Sequence, residues 1–248
     1  MRHSSSLSPD AFARIHGSPG EQPRLRGLLR VALPLLGVVG AAGYLLRAAF
    51  PWPMLGLPAV GGLLIGLALL LALAVQSSRL RLASFIKGAR GEEYVGRILG
   101  LLPAGYEIFH GLPGRAHDGA DGDLDHVVVG PTGVFVVETK NWTGSVTVDG
   151  ERILSNGREP DRPPLAQVNR AADGLRALLR ETCGGPVAVQ PILCFAAEAG
   201  ADLRIAGVAG VLVCNDRNLH AAIREHGESP LPQALHTKIL ATLKQRLG

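Results

Sequence analysis

Two valine-rich runs, residues 124–129 and 134–138, stand on either side of Gly130-Pro131-Thr132-Gly133. β-Branched runs around a turn of this kind close into an antiparallel hairpin. Successive side chains of a strand point to opposite faces, so Asp125, Val127 and Val129 share one face. On the second strand Val134, Val136, Glu138 and Lys140 do the same. If the turn closes regularly, Val129 meets Val134, Val127 meets Val136, and Asp125 meets Glu138. Directly opposed residues have Cβ atoms about 4.5–5.5 Å apart. Two carboxylates therefore end an apolar stripe, with Lys140 one step beyond.

Unassisted, that pairing is unfavourable, because opposed like charges destabilise a sheet and burial raises the cost. A shared proton, a basic neighbour or a divalent cation would relieve it. Two carboxylates plus water form the hard oxygen site that Mg²⁺ prefers. A plain salt bridge from Glu138 to Lys140 at a strand end would also satisfy the segment. The lysine is informative, because the chain has four Lys against 21 Arg. A compact ammonium with three rotatable donors suits a water or a phosphoryl oxygen better than a planar guanidinium does.

A third acid lies upstream. Residues 80–102 have helical periodicity, with Phe85, Val95, Leu99 and Leu102 forming the apolar stripe and Glu92 falling within it. Glu93 turns about 100° away, toward Arg97, as a surface pair at i,i+4 spacing. Glu92 faces the protein, where an acid needs a partner. A cation held by Asp125 and Glu138 would provide one, and so would a buried hydrogen bond to backbone.

Composition divides the chain. Residues 1–78 carry six Arg and two acids, whereas residues 79–248 hold nineteen basic and nineteen acidic residues. The net charge of +4 thus belongs to the N-terminal part and says nothing about nucleic acid binding by the rest. Hydrophobic residues at 47% and charged residues at 19% exclude a disordered chain. Cys183, Cys194 and Cys214 form neither a disulfide framework nor a cysteine zinc site.

Residues 1–26, rich in Ser, Pro, Gly and Arg, read as a flexible tail. Residues 31–46 and 48–78 are uncharged, and 57–75 are 19 residues dominated by Leu, Ala, Gly and Val. A bilayer core takes about 20 apolar residues as a helix, so residues 27–78 read as a two-helix transmembrane hairpin with Trp52 at headgroup depth. Arginines before and after it place both ends, and residues 79–248, in the cytoplasm. The expected location is therefore a multi-pass membrane protein with a cytoplasmic α/β domain at 79–248.

The motifs Gly91-Glu-Glu-Tyr-Val95, Asp125-His-Val-Val-Val129, Gly133-Val-Phe-Val-Val-Glu-Thr-Lys-Asn141, Gly144 and Pro164-Leu-Ala-Gln167 occur in the order of the nuclease-related domain, NERD. That domain resembles a branch of the PD-(D/E)xK nuclease superfamily, and the resemblance runs from about residue 88 to 180. It implies a restriction-endonuclease-like αβββαβ core with a mixed central sheet, preceded here by the two membrane helices. It implies that Glu92, Asp125, Glu138 and Lys140 are catalytic, with Gln167 auxiliary. Asp125, Glu138 and Glu92 would be the metal ligands, for Mg²⁺ or Mn²⁺, and no small-molecule cofactor is implied. The loop at 117–123 is more acidic than the family pattern and is read as solvating a turn.

The expected activity is metal-dependent hydrolysis of phosphodiester bonds, DNA ahead of RNA, by a membrane-tethered enzyme. Two other classes fit the same residues: a catalytically silent nucleic-acid-binding module, and a membrane scaffold recruiting a protein. Arg152, Arg158, Arg162, Arg170, Arg176 and Arg180 either line a groove or form a solvated face. Oligomeric state has no signature in the sequence.

Overall fold

In the computed structural model, residues 11–48, 57–115, 121–226 and 231–247 are described. The chain divides into two compact units, one of Met1–Gln22 with Gly88–Gly248 and one of Pro23–Lys87.

The larger unit is built on a seven-stranded mixed sheet in the order β1-β2-β3-β4-β7-β9-β8. Three strands, β2 (Glu107–Arg115), β3 (Asp121–Gly130) and β4 (Gly133–Lys140), form an antiparallel meander, β3 pairing with both of the others. The chain then crosses over through helix α3 (Pro164–Cys183) to β7 (Gln190–Phe195), which lies parallel to β4. β9 (Val211–Asn215) continues the sheet in parallel, and β8 (Ala206–Val208) closes that edge in antiparallel. Helix α2 (Leu57–Leu99) contributes its last turns to this unit, so α2, β2, β3, β4, α3 and β7 give the αβββαβ order. A small hairpin of β5 (Val146–Asp149) and β6 (Arg152–Ser155) fills the loop between β4 and α3.

The alternation of side chains sorts the core into two layers. Phe109, Val127, Val129, Val134, Val136 and Leu193 face α3 and α5 (Gln233–Leu247). Val128, Phe135, Val137, Ile192 and Cys194 pack with Val95 and Leu99 of α2, with Leu102 just beyond it, and with α4 (Leu219–Glu225). On α3 the buried residues Val168, Ala172, Leu175 and Leu179 recur at steps of four and three, one stripe of an amphipathic helix. Prolines 163 and 164 open α3, and Gly184 ends it in the left-handed conformation at φ 78°.

Three readings are corrected here. The first concerns the expected flexible tail, which in part belongs to the sheet: Arg14–His16 form β1, parallel to β2 with Arg14 opposite Glu107. A three-residue edge strand has no hydrophobic period of its own, so composition alone hides it. Second, the loop read at 117–123 is in part strand, since β3 begins at Asp121 and stays paired with β2 out to Arg115. Residues 116–120, with most of the acidic loop, lie outside the described residues.

The third correction concerns the expected transmembrane hairpin. The smaller unit consists of α1 (Glu21–Ala48) beyond its first two residues and the first part of α2. Among the described residues no helix is long and apolar enough to cross a membrane, so the hairpin is not supported. In α1 the uncharged run between Arg30 and Arg47 has 16 residues, about 24 Å as a helix against a hydrocarbon core of about 30 Å. Pro34 also interrupts it. The expected turn containing Trp52 lies in residues 49–56, outside the described residues. Leu33, Leu36, Tyr44, Ile65, Leu69 and Leu73 of this unit are exposed.

Candidate active site

The pairing of β3 with β4 runs in the expected register, with Val129 opposite Val134 and Val127 opposite Val136. The ladder stops at His126 opposite Val137, and one step further the same register sets Asp125 against Glu138. There a side chain takes over from the backbone: the Thr139 N–H donates to Asp125 Oδ2 at 2.8 Å. Glu138 is 5% exposed although it is a carboxylate, so it needs partners.

It has two. Lys140 Nζ donates to Glu138 Oε1 at 2.8 Å, and Gln167 Nε2 donates to the same oxygen at 2.5 Å. Lys140 Nζ also donates to Gln167 Oε1 at 2.8 Å. The three side chains close a triangle, and only one orientation of the Gln167 amide lets it accept from the lysine and donate to the glutamate. Gln167 sits in the first turn of α3, which the proline pair starts at a fixed place over the end of β4. Both donors fall on Oε1, so the triangle does not involve Oε2.

Glu92 arrives from the opposite layer, on the stripe that continues into Val95, Leu99 and Leu102. Gly91 lets α2 come this close, because a Cβ there would lie 2.6 Å from the Asn141 Cβ just past β4. The Glu92 carboxylate accepts the backbone N–H of Gly20. Burial, then the Glu138 charge, pushes its pKa up to about 7, while the Gly20 N–H and Lys140 pull it down and Asp123 pushes it up. Asp125 is raised well above the usual carboxylate range by burial and by the charges of Glu138 and Glu92. The Thr139 N–H and Lys140 act against that rise.

Glu138, Lys140 and Gln167 are therefore in direct contact, Asp125 stands opposite Glu138, and Glu92 joins them through the electric field. Asp125, Glu138 and Glu92 were expected to be ligands of one ion. Among the described residues no three His, Cys, Asp or Glu side chains form a group able to hold a metal. Each acid is turned to a different donor: Glu138 to Lys140 and Gln167, Asp125 to Thr139, and Glu92 to Gly20. The chemistry of the donors still fits a hard divalent ion at Asp125 and Glu138. They are oxygen ligands only, and their mutual repulsion is what such an ion relieves.

On the other face of the same strands lies a buried polar chain that the sequence reading missed. His110 Nδ1 and His126 Nδ1 are 2.7 Å apart, and His126 Nε2 is 3.2 Å from Thr139 Oγ1. Burial lowers the His110 pKa to about 4, and burial with the neighbouring ring holds that of His126 well below its ordinary value. Both rings are thus neutral near pH 7, one donating to the other. They brace Thr139, which sits between Glu138 and Lys140. The only trace of this in the sequence was a His in each of two adjacent strands. Of the six arginines near the site, Arg152 pairs with Asp149 and Glu159, and Arg176 pairs with Asp173. Arg158, Arg162, Arg170 and Arg180 are exposed.

A 59-residue stretch, 23% of this chain, is 44% identical to an uncharacterized protein of Bacillus anthracis. That stretch covers 28% of the relative, so the chain matches little more than a quarter of that protein's length. No solved structure matches the chain. The model of the NERD family, the nuclease-related domain, matches residues 87–196, which hold all five candidate residues and run from the last turns of α2 to the end of β7.

Proposed function

We propose that this chain is a metal-dependent nuclease that hydrolyses phosphodiester bonds, with DNA ahead of RNA as substrate. The observation that carries the reading is the closed triangle of Glu138, Lys140 and Gln167 facing Asp125 at the end of β4. An ordinary surface salt bridge needs no second acid opposite it and no glutamine bound to both partners. Asp125 and Glu138 would hold Mg²⁺ or Mn²⁺, with Glu92 as an outer group. Bound there, the ion would polarise a phosphate oxygen and acidify a water.

The chain's own residues do the rest. Lys140, held at 2.8 Å from two oxygens, offers its third proton to an attacking water or to a phosphoryl oxygen that gains charge. Gln167 keeps that ammonium from swinging away. Glu92, with a pKa near 7, can take up or release a proton at neutral pH. Exposed Arg162 and Arg170 flank Gln167 in sequence and would meet a phosphate backbone.

Attachment to a membrane through residues 27–78, with the domain on the cytoplasmic side, belongs to the same proposal. Its support is the exposed leucines of α1 and α2 and the arginines on either side of the apolar runs. Recovery of the whole chain in the soluble fraction without detergent would end that part of it.

The activity is tested with the full chain on plasmid and single-stranded substrates. Cutting is expected with Mg²⁺ or Mn²⁺ and is lost with EDTA. Glu138→Ala and Lys140→Ala should each lower it by about 10²–10³-fold, the usual loss when a transition-state donor or its partner goes. Equal activity in Lys140→Ala and wild type would refute the enzyme reading. Binding without cutting would instead support a silent nucleic-acid-binding module.

A further inference from the structure

The matched domain begins at residue 87, yet one contact to its acids comes from far upstream. β1 anchors that upstream segment. The Ala13 N–H donates to Leu102 O at 2.9 Å, and the Arg14 N–H donates to Tyr106 O at 3.0 Å. His16 Nε2 lies 2.8 Å from Glu107 Oε2, and its ring stacks on Phe109 with centroids 4.6 Å apart. The chain then turns at Gly17, φ 79°, where a Cβ would stand 2.6 Å from His110 O. Pro19 covers Gly96 of α2, where a Cβ would lie 3.0 Å from the proline ring. Gly20 follows, buried and at φ 74°. A Cβ on Gly20 would lie 2.7 Å from Ala89 O and 3.1 Å from Glu93 Cγ. Only a residue without a side chain brings the backbone this close to the helix, and there its N–H meets the Glu92 carboxylate.

We propose that Gly20 is a positioning residue of the candidate active site, its backbone N–H fixing the Glu92 carboxylate against the acids of β3 and β4. Glu138 is held by Lys140 and Gln167, and Asp125 by the Thr139 N–H. Gly20 does the same for the third acid, so residues outside the matched domain complete the site. Without that donor, repulsion from Asp125 and Glu138 would turn the Glu92 side chain toward solvent. The catalytic consequence rests on the nuclease reading, whereas the bond itself stands on the packing of residues 17–20 against α2.

Two measurements on the full chain test it. Hydrogen exchange resolved at the Gly20 amide reads the bond without any activity. The Gly20 amide is expected to be protected, and Glu92→Ala should speed its exchange by about tenfold or more, as loss of a charge-assisted bond does. The Arg14 amide, bonded to Tyr106 O, should keep its protection. A Gly20 amide that exchanges freely in the wild type, or equally fast with and without Glu92, overturns the proposal. The second measurement is the rate split in Gly20→Ala, with kcat expected to fall about 10–100-fold and KM unchanged, because positioning is lost and substrate contacts are not. A folded Gly20→Ala chain with wild-type kcat overturns the proposal too. If Gly20→Ala does not fold, or if the wild type cuts nothing and the nuclease reading falls, hydrogen exchange alone decides.

Discussion

Glu138 takes two donors on one carboxylate oxygen while facing a second carboxylate, and the cost of that arrangement falls on its neighbours. Glu92, with a pKa near 7, is largely uncharged at acidic pH and charged above neutrality. Its folded pKa lies above the unfolded value. The stability it contributes is therefore fully present below about pH 4.5 and lost as pH rises through about 7. Replacing it by glutamine should leave metal-free stability nearly unchanged at pH 4.5. The same change should raise it by about 2 kcal/mol at pH 8, after discounting for partial exposure. Denaturant titrations of wild type and Glu92→Gln at the two pH values check this, and a constant difference would contradict it. Lys140→Arg gives a second test at this scale. A planar guanidinium does not reproduce one nitrogen shared between Glu138 and Gln167, so activity should fall nearly as far as in Lys140→Ala. Recovery of wild-type rates in Lys140→Arg would show that only charge matters there.

At the scale of elements, the site depends on how closely α2, β4 and α3 approach one another. α3 is fixed by the proline pair and its apolar stripe. The approach of α2 depends on Gly91 against Asn141. Gly91→Ala removes a helix-weakening glycine, which by itself would stabilise α2. The 2.6 Å encounter with Asn141 Cβ outweighs that gain, because both atoms sit at the roots of their side chains. The net expectation is a loss of about 1–3 kcal/mol together with reduced activity, read from thermal unfolding and turnover. A Gly91→Ala chain more stable than wild type would show that the helix yields without cost. The hairpin was legible from Val127, Val129, Val134 and Val136, because a half-buried strand advertises its period. The β5–β6 hairpin is harder to read, because strands of four residues carry too little pattern to separate from a loop.

For the whole molecule, the chain between residues 11 and 22 matters more than its composition indicated. β1 covers the outer edge of β2, and the Glu107 carboxylate, 9% exposed, meets His16 Nε2 and the Lys244 ammonium. His16 and Lys244, each 2.8 Å away, hold the Glu107 carboxylate below its ordinary value against the upward push of its burial. Removing residues 1–22 would take away the His16 contact, leave Lys244 against that carboxylate and bare the edge of β2. The shortened chain should melt several degrees lower, about 2–4 °C for each kcal/mol lost in a domain of this size, and aggregate more readily. Scanning calorimetry and light scattering on the two chains give the answer. Equal melting points would show β1 to be dispensable.

The sequence by itself determined the hairpin, its register and the identity of the acid–acid–lysine set. Strand period and turn position are local properties, written into consecutive residues. It also marked the place of Gln167, through the Pro164-Leu-Ala-Gln167 motif. The tertiary structure alone decided which donor each acid faces, that two buried imidazoles brace Thr139, and that Gly20 reaches Glu92. Those contacts join residues far apart in the chain, through backbone groups that every sequence carries. Only the packing of one layer on another selects among them.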